Sequence, residues 1–131
     1  MTRASFLPRP LLRRQLWLAL AIATVVLDVG AGGIAKLLGV PYVHSSFPKL
    51  GLPPWFGYFI GVCEVLGCIA LPIRALSSLA ALGLGAIMLG ATYYHAAYTP
   101  AVQAVPPLVL ALACAWICIA RRRAFLQFDR S

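Results

Sequence analysis

A single carboxylate, Glu64, stands in the middle of an apolar run of membrane-spanning length, Trp55–Ile73 (WFGYFIGVCEVLGCIALPI). At mid-depth in a bilayer a carboxylate that is neither paired nor hydrated costs roughly 2–4 kcal/mol or more. The run must therefore turn Glu64 toward protein rather than lipid. It also carries Gly57 and Gly61 in a G-x-x-x-G spacing, with Gly67 beyond, and small residues at that spacing let neighbouring helices approach closely. These features predict a helix at the centre of a packed membrane unit, with its acid facing inward.

Composition supports a membrane class for the whole chain. Of 131 residues, 62% are hydrophobic and only 11% charged, with a mean hydropathy of +0.89. A soluble domain carries about 25% charged residues. The apolar excess falls into four runs, at about 16–37, 55–73, 76–95 and 102–120. The expected fold is all-α: an integral membrane four-helix bundle over 16–120, with no room for a second domain. A basic leader (1–15) precedes it, an outer-face loop (38–54) follows the first span, and a basic tail (121–131) ends the chain.

The net charge of +8 does not point to nucleic acid, because the basic residues are placed by topology. Arg3, Arg9, Arg13 and Arg14 precede the first span, Arg74 lies in the second connection, and Arg121, Arg122, Arg123 and Arg130 follow the last span. The other two connections hold only Lys36 and Lys49. This asymmetry predicts both termini in the cytoplasm and a multi-pass protein of the cytoplasmic (inner) membrane. Residues 1–15 also resemble the basic start of a signal peptide. The following apolar run is longer than a usual signal core and three more spans come after it, so an uncleaved first helix is expected.

Within the loop, Pro and Gly residues exclude one long helix, and the aromatic residues suit a segment on the outer membrane face with a short helix near Val43–Leu50; an ordinary interfacial loop is the first expectation, and a lid over the bundle is the alternative. The third run is rich in small residues, and Gly83 and Gly90 join Gly57 and Gly61 as candidate helix-packing positions. Pro106-Pro107 are expected to kink the fourth span and free backbone carbonyls. The four cysteines (Cys63, Cys68, Cys114, Cys118) form no Cys-x-x-Cys and read as small packing residues.

Polar residues converge on the outer half of the predicted bundle. Asp28 and Glu64 fall near mid-membrane, whereas Lys36, Tyr93 and His95 fall near the outer end. Asp28 and Lys36 are about 12 Å apart along the helix and about 80° apart in rotation, so they form no direct pair but can border one cavity. Lys36 can equally snorkel to the interface. These five residues are the candidates for ligand binding or proton handling. No metal site is expected: His44 and His95 lack a defined spacing, and His44 lies in the loop. Hydrogen bonding between helices, with no ligand, is the structural alternative for the whole set.

The segments GAGGIAKLLGVP (Gly30–Pro41) and LGLPPWFGYFIGVCEVLGCIALPI (Leu50–Ile73), with Glu64 in E-x-x-G, resemble the DoxX-like membrane proteins, a group of small four-helix bundles. The small-residue third span ending at Tyr93 and His95 adds to the likeness, which extends over roughly Leu16–Arg122. Some members of that group are subunits of thiosulfate:quinone oxidoreductase or are tied to sulfur and redox metabolism, and most have no assigned reaction. The resemblance implies a quinone as the possible cofactor and a redox partner protein. Asp28, Lys36, Glu64 and His95 would then contact quinone or carry protons. The chain has no flavin fingerprint, so catalysis would rest with the partner.

Three functions follow as expectations. The first is a quinone- or small-molecule-binding membrane subunit of a redox complex, not an enzyme on its own. The second is a non-catalytic scaffold or assembly factor. The third is a small proton-coupled transporter that uses Glu64 and works as a homo-oligomer. The lipid bilayer is a partner in all three.

Overall fold

The computed structural model describes residues 8–129 and is all-helical, with no strand among the described residues. Helix α1 runs Arg9–Leu37, α2 Pro41–His44, α3 Ser46–Lys49, α4 Phe56–Ala70 and α5 Arg74–Tyr98. A 3₁₀ turn at Ala101–Ala104 then leads into α6, Val105–Asp129. Three helical stretches are long and apolar enough to cross a membrane: Arg9–Leu37, Arg74–Tyr98 and Ala101–Ala124. The fourth apolar helix, α4, has 15 residues, a rise of about 22 Å against a hydrocarbon core of about 30 Å.

Several boundaries differ from the sequence expectation. The basic segment expected as a leader is helical from Arg9 and continuous with the first span, because Pro8 and Pro10 sit where helix N–H groups have no partner anyway. Residues 1–7 of that leader lie outside the described residues. Pro106 and Pro107 lie just past the point where the 3₁₀ turn gives way to α6. They occupy the first turn of α6, where a missing N–H breaks no hydrogen bond. The expected tail is largely a continuation of α6. The outer-face loop forms two short helices, α2 and α3, rather than one.

Packing follows the chain order. Helix α1 lies against α4, α5 against α6, and the two pairs meet through α4 with α5 and α1 with α6. Neighbours run antiparallel: Gly30 lies by Cys68 and Gly33 by Gly61, while Gly85 lies by Cys114 and Ser78 by Cys118. The shared core is built from Leu18, Ile22, Val25 and Val29 of α1, Leu84 and Met88 of α5, and Cys114 and Ile117 of α6. Each set repeats at three- and four-residue steps, one helix face. The Ser78 hydroxyl donates to the Cys118 carbonyl at 2.9 Å and ties α5 to α6. No disulfide links the four cysteines.

Candidate functional site

The site begins with a glycine contact. Gly33 of α1 and Gly61 of α4 are both buried. A Cβ on Gly33 would stand 2.9 Å from the Glu64 Cβ, and one on Gly61 would stand 2.9 Å from the Lys36 Cβ and 3.0 Å from the Gly33 carbonyl oxygen. Real Cβ atoms do not come so near, so only glycine permits this separation of the two helices.

The close approach sets Lys36 and Glu64 side by side. The Lys36 ammonium donates to both Glu64 carboxylate oxygens, at 2.9 and 3.1 Å. Glu64 is 2% exposed and the Lys36 side chain 16%. A bidentate, charge-assisted contact of this kind offsets much of the cost of placing a carboxylate in an apolar interior. Lys36 therefore reaches inward to Glu64 rather than snorkelling to the interface.

The short helices are fastened over this pair. The His44 ring donates from Nε2 to the Lys36 carbonyl at 2.8 Å. It packs on Gly57, where an added Cβ would lie 2.5 Å from Nδ1, and against the Tyr58 ring at a centroid distance of 4.6 Å. On α3, the Lys49 ammonium stands 5.9 Å from the centre of the Tyr94 ring of α5, within cation–π range. The segment thus spans from the α1–α4 pair across to α5.

Beneath it lies a cavity of about 780 Å³ bordered by α4, α5 and the α2–α3 segment. Helices α4 and α5 are in close contact at Gly67, where a Cβ would meet Leu84 at 2.7 Å. Further out, Phe56, Ile60 and Glu64 line one wall and Ile87, Ala91 and Tyr94 the other. Most of the lining is apolar. Lys36 and Glu64 supply charge at one position, and Tyr94, His95 and Gln103 supply polar groups at another. The Thr99 hydroxyl donates to the His95 carbonyl at 2.9 Å and lies 3.1 Å from His95 Nδ1.

The sequence candidates divide clearly. Lys36, Glu64 and His95 line one cavity. Asp28 does not: it sits on the exposed face of α1, because its roughly 80° offset from Lys36 turns it away from α4. Tyr93 is 62% exposed and points away, whereas its neighbour Tyr94 is 8% exposed and lines the cavity. Tyr94 shares a helix face with Ile87, Ala91 and Tyr98, a phase that three adjacent polar residues in sequence do not reveal. A Cβ on Gly57 would meet the His44 and Phe47 rings of the short helices, and one on Gly61 would meet Lys36 and Gly33 of α1. A Cβ on Gly83 or Gly90 would meet nothing within 4 Å. Among the described residues, no group of three or more His, Cys, Asp or Glu side chains is arranged to hold a metal ion.

Long apolar helices, small-residue seams and a charged pair held inside them define an all-helical membrane protein. More narrowly, the chain belongs to the DoxX-like family, whose sequence profile matches residues 17–117. That stretch contains the glycine contact, the ion pair and the cavity walls. No curated protein and no solved structure gave a match to the chain.

Proposed function

We propose that the cavity binds a small amphipathic molecule of the quinone type, and that the protein is the membrane subunit through which a redox partner exchanges it. The observation that carries this reading is the Lys36–Glu64 pair on the wall of a largely apolar cavity of about 780 Å³. The volume lies within the range of small-molecule sites, which combine apolar walls with a few convergent polar groups. An ammonium with two of its three donors on Glu64 keeps one for a ligand carbonyl. Tyr94 and His95 offer further hydrogen-bonding groups on α5.

The three long helices and α4 all cross the cytoplasmic membrane in this proposal, with both termini inside and the α2–α3 segment on the outer face. The antiparallel order of neighbours and the placement of the arginines support that orientation. Helix α4, short for a span, is continued by Leu71 at one end and covered by the α2–α3 segment at the other.

The decisive experiment is quinone content per protein after gentle detergent purification, wild type beside Glu64→Gln. Near-stoichiometric quinone in wild type, lost in a folded variant, is the expected result. Absence of quinone from both would remove the redox reading. A second reading has its own observation: the ion pair is satisfied without a ligand, as a scaffold would require. A scaffold predicts that an apolar replacement of both partners, Lys36→Met with Glu64→Leu, retains full function.

A further inference from the structure

At the end of the bundle away from the Lys36–Glu64 pair, α5 begins at Arg74 and the apolar run of α6 gives way to Arg121, Arg122 and Arg123. Two buried side-chain polar atoms lack a hydrogen-bond partner among the described residues, and both belong to this end. They are Ser77 Oγ on α5 and Arg121 Nη1 on α6. Ser77 is 0% exposed. A hydroxyl and a guanidinium arm left unpaired in an interior are costly, the charged group more so.

Helix geometry turns both atoms to one place. The Ser78 hydroxyl donates to the Cys118 carbonyl at 2.9 Å, which fixes a level at which α5 and α6 touch. Ser77 is one residue from Ser78 and lies on the line Arg74–Ser77–Ala81–Leu84, whose three- and four-residue steps carry the core face of α5 to its first turn. Arg121 extends the core face of α6 in the same way, after Cys114 and Ile117. Side chains lean toward the N-terminus of their helix, so Arg121 reaches back toward the level of Cys118 and Ser77. Arg74 stands close enough for its charge to act on Arg121. Two like charges and a buried hydroxyl thus share the inner end of the α5–α6 seam.

We propose that Arg74, Ser77 and Arg121 bind the phosphate group of a membrane phospholipid. The chain has three acids, Asp28, Glu64 and Asp129. Glu64 is held by Lys36, the one ion pair among the described residues. Asp28 lies on the exposed face of α1, and Asp129 follows Arg121 by eight residues, about 12 Å further along α6. The counter-charge therefore comes from outside the chain. Depth selects its source: Arg74 precedes one apolar helix and Arg121 follows another, the boundary at which phospholipid phosphates lie. A phosphate carries several acceptor oxygens around one centre and accepts from two guanidinium groups and a hydroxyl together. In the orientation proposed above, the lipid belongs to the cytoplasmic leaflet, whose headgroups bind in basic pockets between helices.

The test is native mass spectrometry of the full chain released from detergent micelles. The protein is titrated with phosphatidylglycerol, and with dioleoylglycerol, which has the same chains and no phosphate. Wild type retains one phosphatidylglycerol and does not retain dioleoylglycerol. Arg121→Gln and Arg74→Gln weaken retention by about ten- to hundredfold, the worth of one charge-assisted hydrogen bond. Ser77→Ala weakens it by about two- to tenfold, the worth of a neutral one. Arg123→Gln removes the same charge from an exposed position on α6 and leaves retention unchanged.

Helical content by circular dichroism checks each variant. Should Arg121→Gln fail to fold, Arg74→Gln, at an exposed position, decides the question. A wild type that retains no phosphatidylglycerol overturns the proposal. Equal retention of dioleoylglycerol also overturns it, because acyl chains alone then account for binding. So does an equal loss with Arg123→Gln, which marks diffuse charge attraction rather than a site. Displacement of the lipid by millimolar inorganic phosphate assigns the three residues to a soluble phosphate and overturns the lipid as occupant. Quinone content is a separate readout, so failure here leaves the cavity reading standing.

Discussion

The α-carbons of Gly33 and Gly61 meet across the α1–α4 interface so closely that a methyl group on Gly61 would stand 3.0 Å from the Gly33 carbonyl oxygen. The ion pair one turn away depends on that separation. Lys36 follows Gly33 by three residues and Glu64 follows Gly61 by three. In an antiparallel pair, residues so placed converge from opposite sides of the contact. The charged site is therefore a consequence of how the backbones pack.

Gly61→Ala should destabilise the fold by about 1–3 kcal/mol, the cost of forcing an extra methyl into a tight interface. Unfolding by sodium dodecyl sulfate in mixed micelles measures it. Gly83→Ala should be neutral or stabilise by up to about 1 kcal/mol, because its Cβ enters open space and alanine favours helix. Equal losses at both positions would show that α5 has a close partner on its outer face.

The Lys36–Glu64 pair is open to a double-mutant cycle. Removing one partner, by Lys36→Met or Glu64→Gln, should cost more than exchanging both. A buried ion left alone is destabilising by about 3–5 kcal/mol, whereas an apolar pair of similar volume is often near neutral. Strict additivity of the two single changes would mean that the contact at 2.9 Å carries no coupling.

Tyr93 and Tyr94 provide a paired test of the cavity. Tyr94→Ala should reduce the quinone retained on purification by about tenfold, the equivalent of one lost hydrogen bond to a ligand. Tyr93→Ala should leave it unchanged, because that ring faces outward. Asp28→Asn should also leave it unchanged, since Asp28 stands outside the cavity wall. If Tyr93→Ala has the larger effect, the ligand binds on the opposite face of α5.

Ser78→Ala removes the hydroxyl that donates to the Cys118 carbonyl of α6. Its expected cost is about 0.5–1.5 kcal/mol, the usual worth of one hydrogen bond. Thermal unfolding in detergent, followed by circular dichroism, reads the change. No loss of stability would mean that α5 and α6 are held by apolar packing alone.

Legibility differed by residue. The inward placement of Glu64 followed from its depth in an apolar run. Of the two glycines picked out by spacing, Gly61 lies on the α1–α4 seam, whereas Gly57 lies against the His44 ring. Lys36 was visible as a cavity candidate, yet its pairing with Glu64 was not, because the two are 28 residues apart and meet only when α1 and α4 pack. His44 was legible only as an unassigned polar residue in a loop. Its hydrogen bond to the Lys36 carbonyl requires the path of α2. Gly83 and Gly90 looked like packing glycines, but a small residue serves a seam only when a neighbour lies opposite it.

The sequence by itself determined the membrane class, the all-helical fold and the need to turn Glu64 away from lipid. Each rests on a local property: hydropathy over a span, or a carboxylate at depth. Only the tertiary structure decided which way each helix is rotated. It turned Tyr94 rather than Tyr93 to the cavity, set Lys36 on Glu64 and left Asp28 facing out. The physical reason is that lipid and helix interface are almost equally apolar. A membrane helix therefore lacks the polar–apolar contrast that marks the buried face of a soluble one. Its phase is settled by the fit of side chains against neighbouring helices, and that information is distributed over residues far apart in the chain.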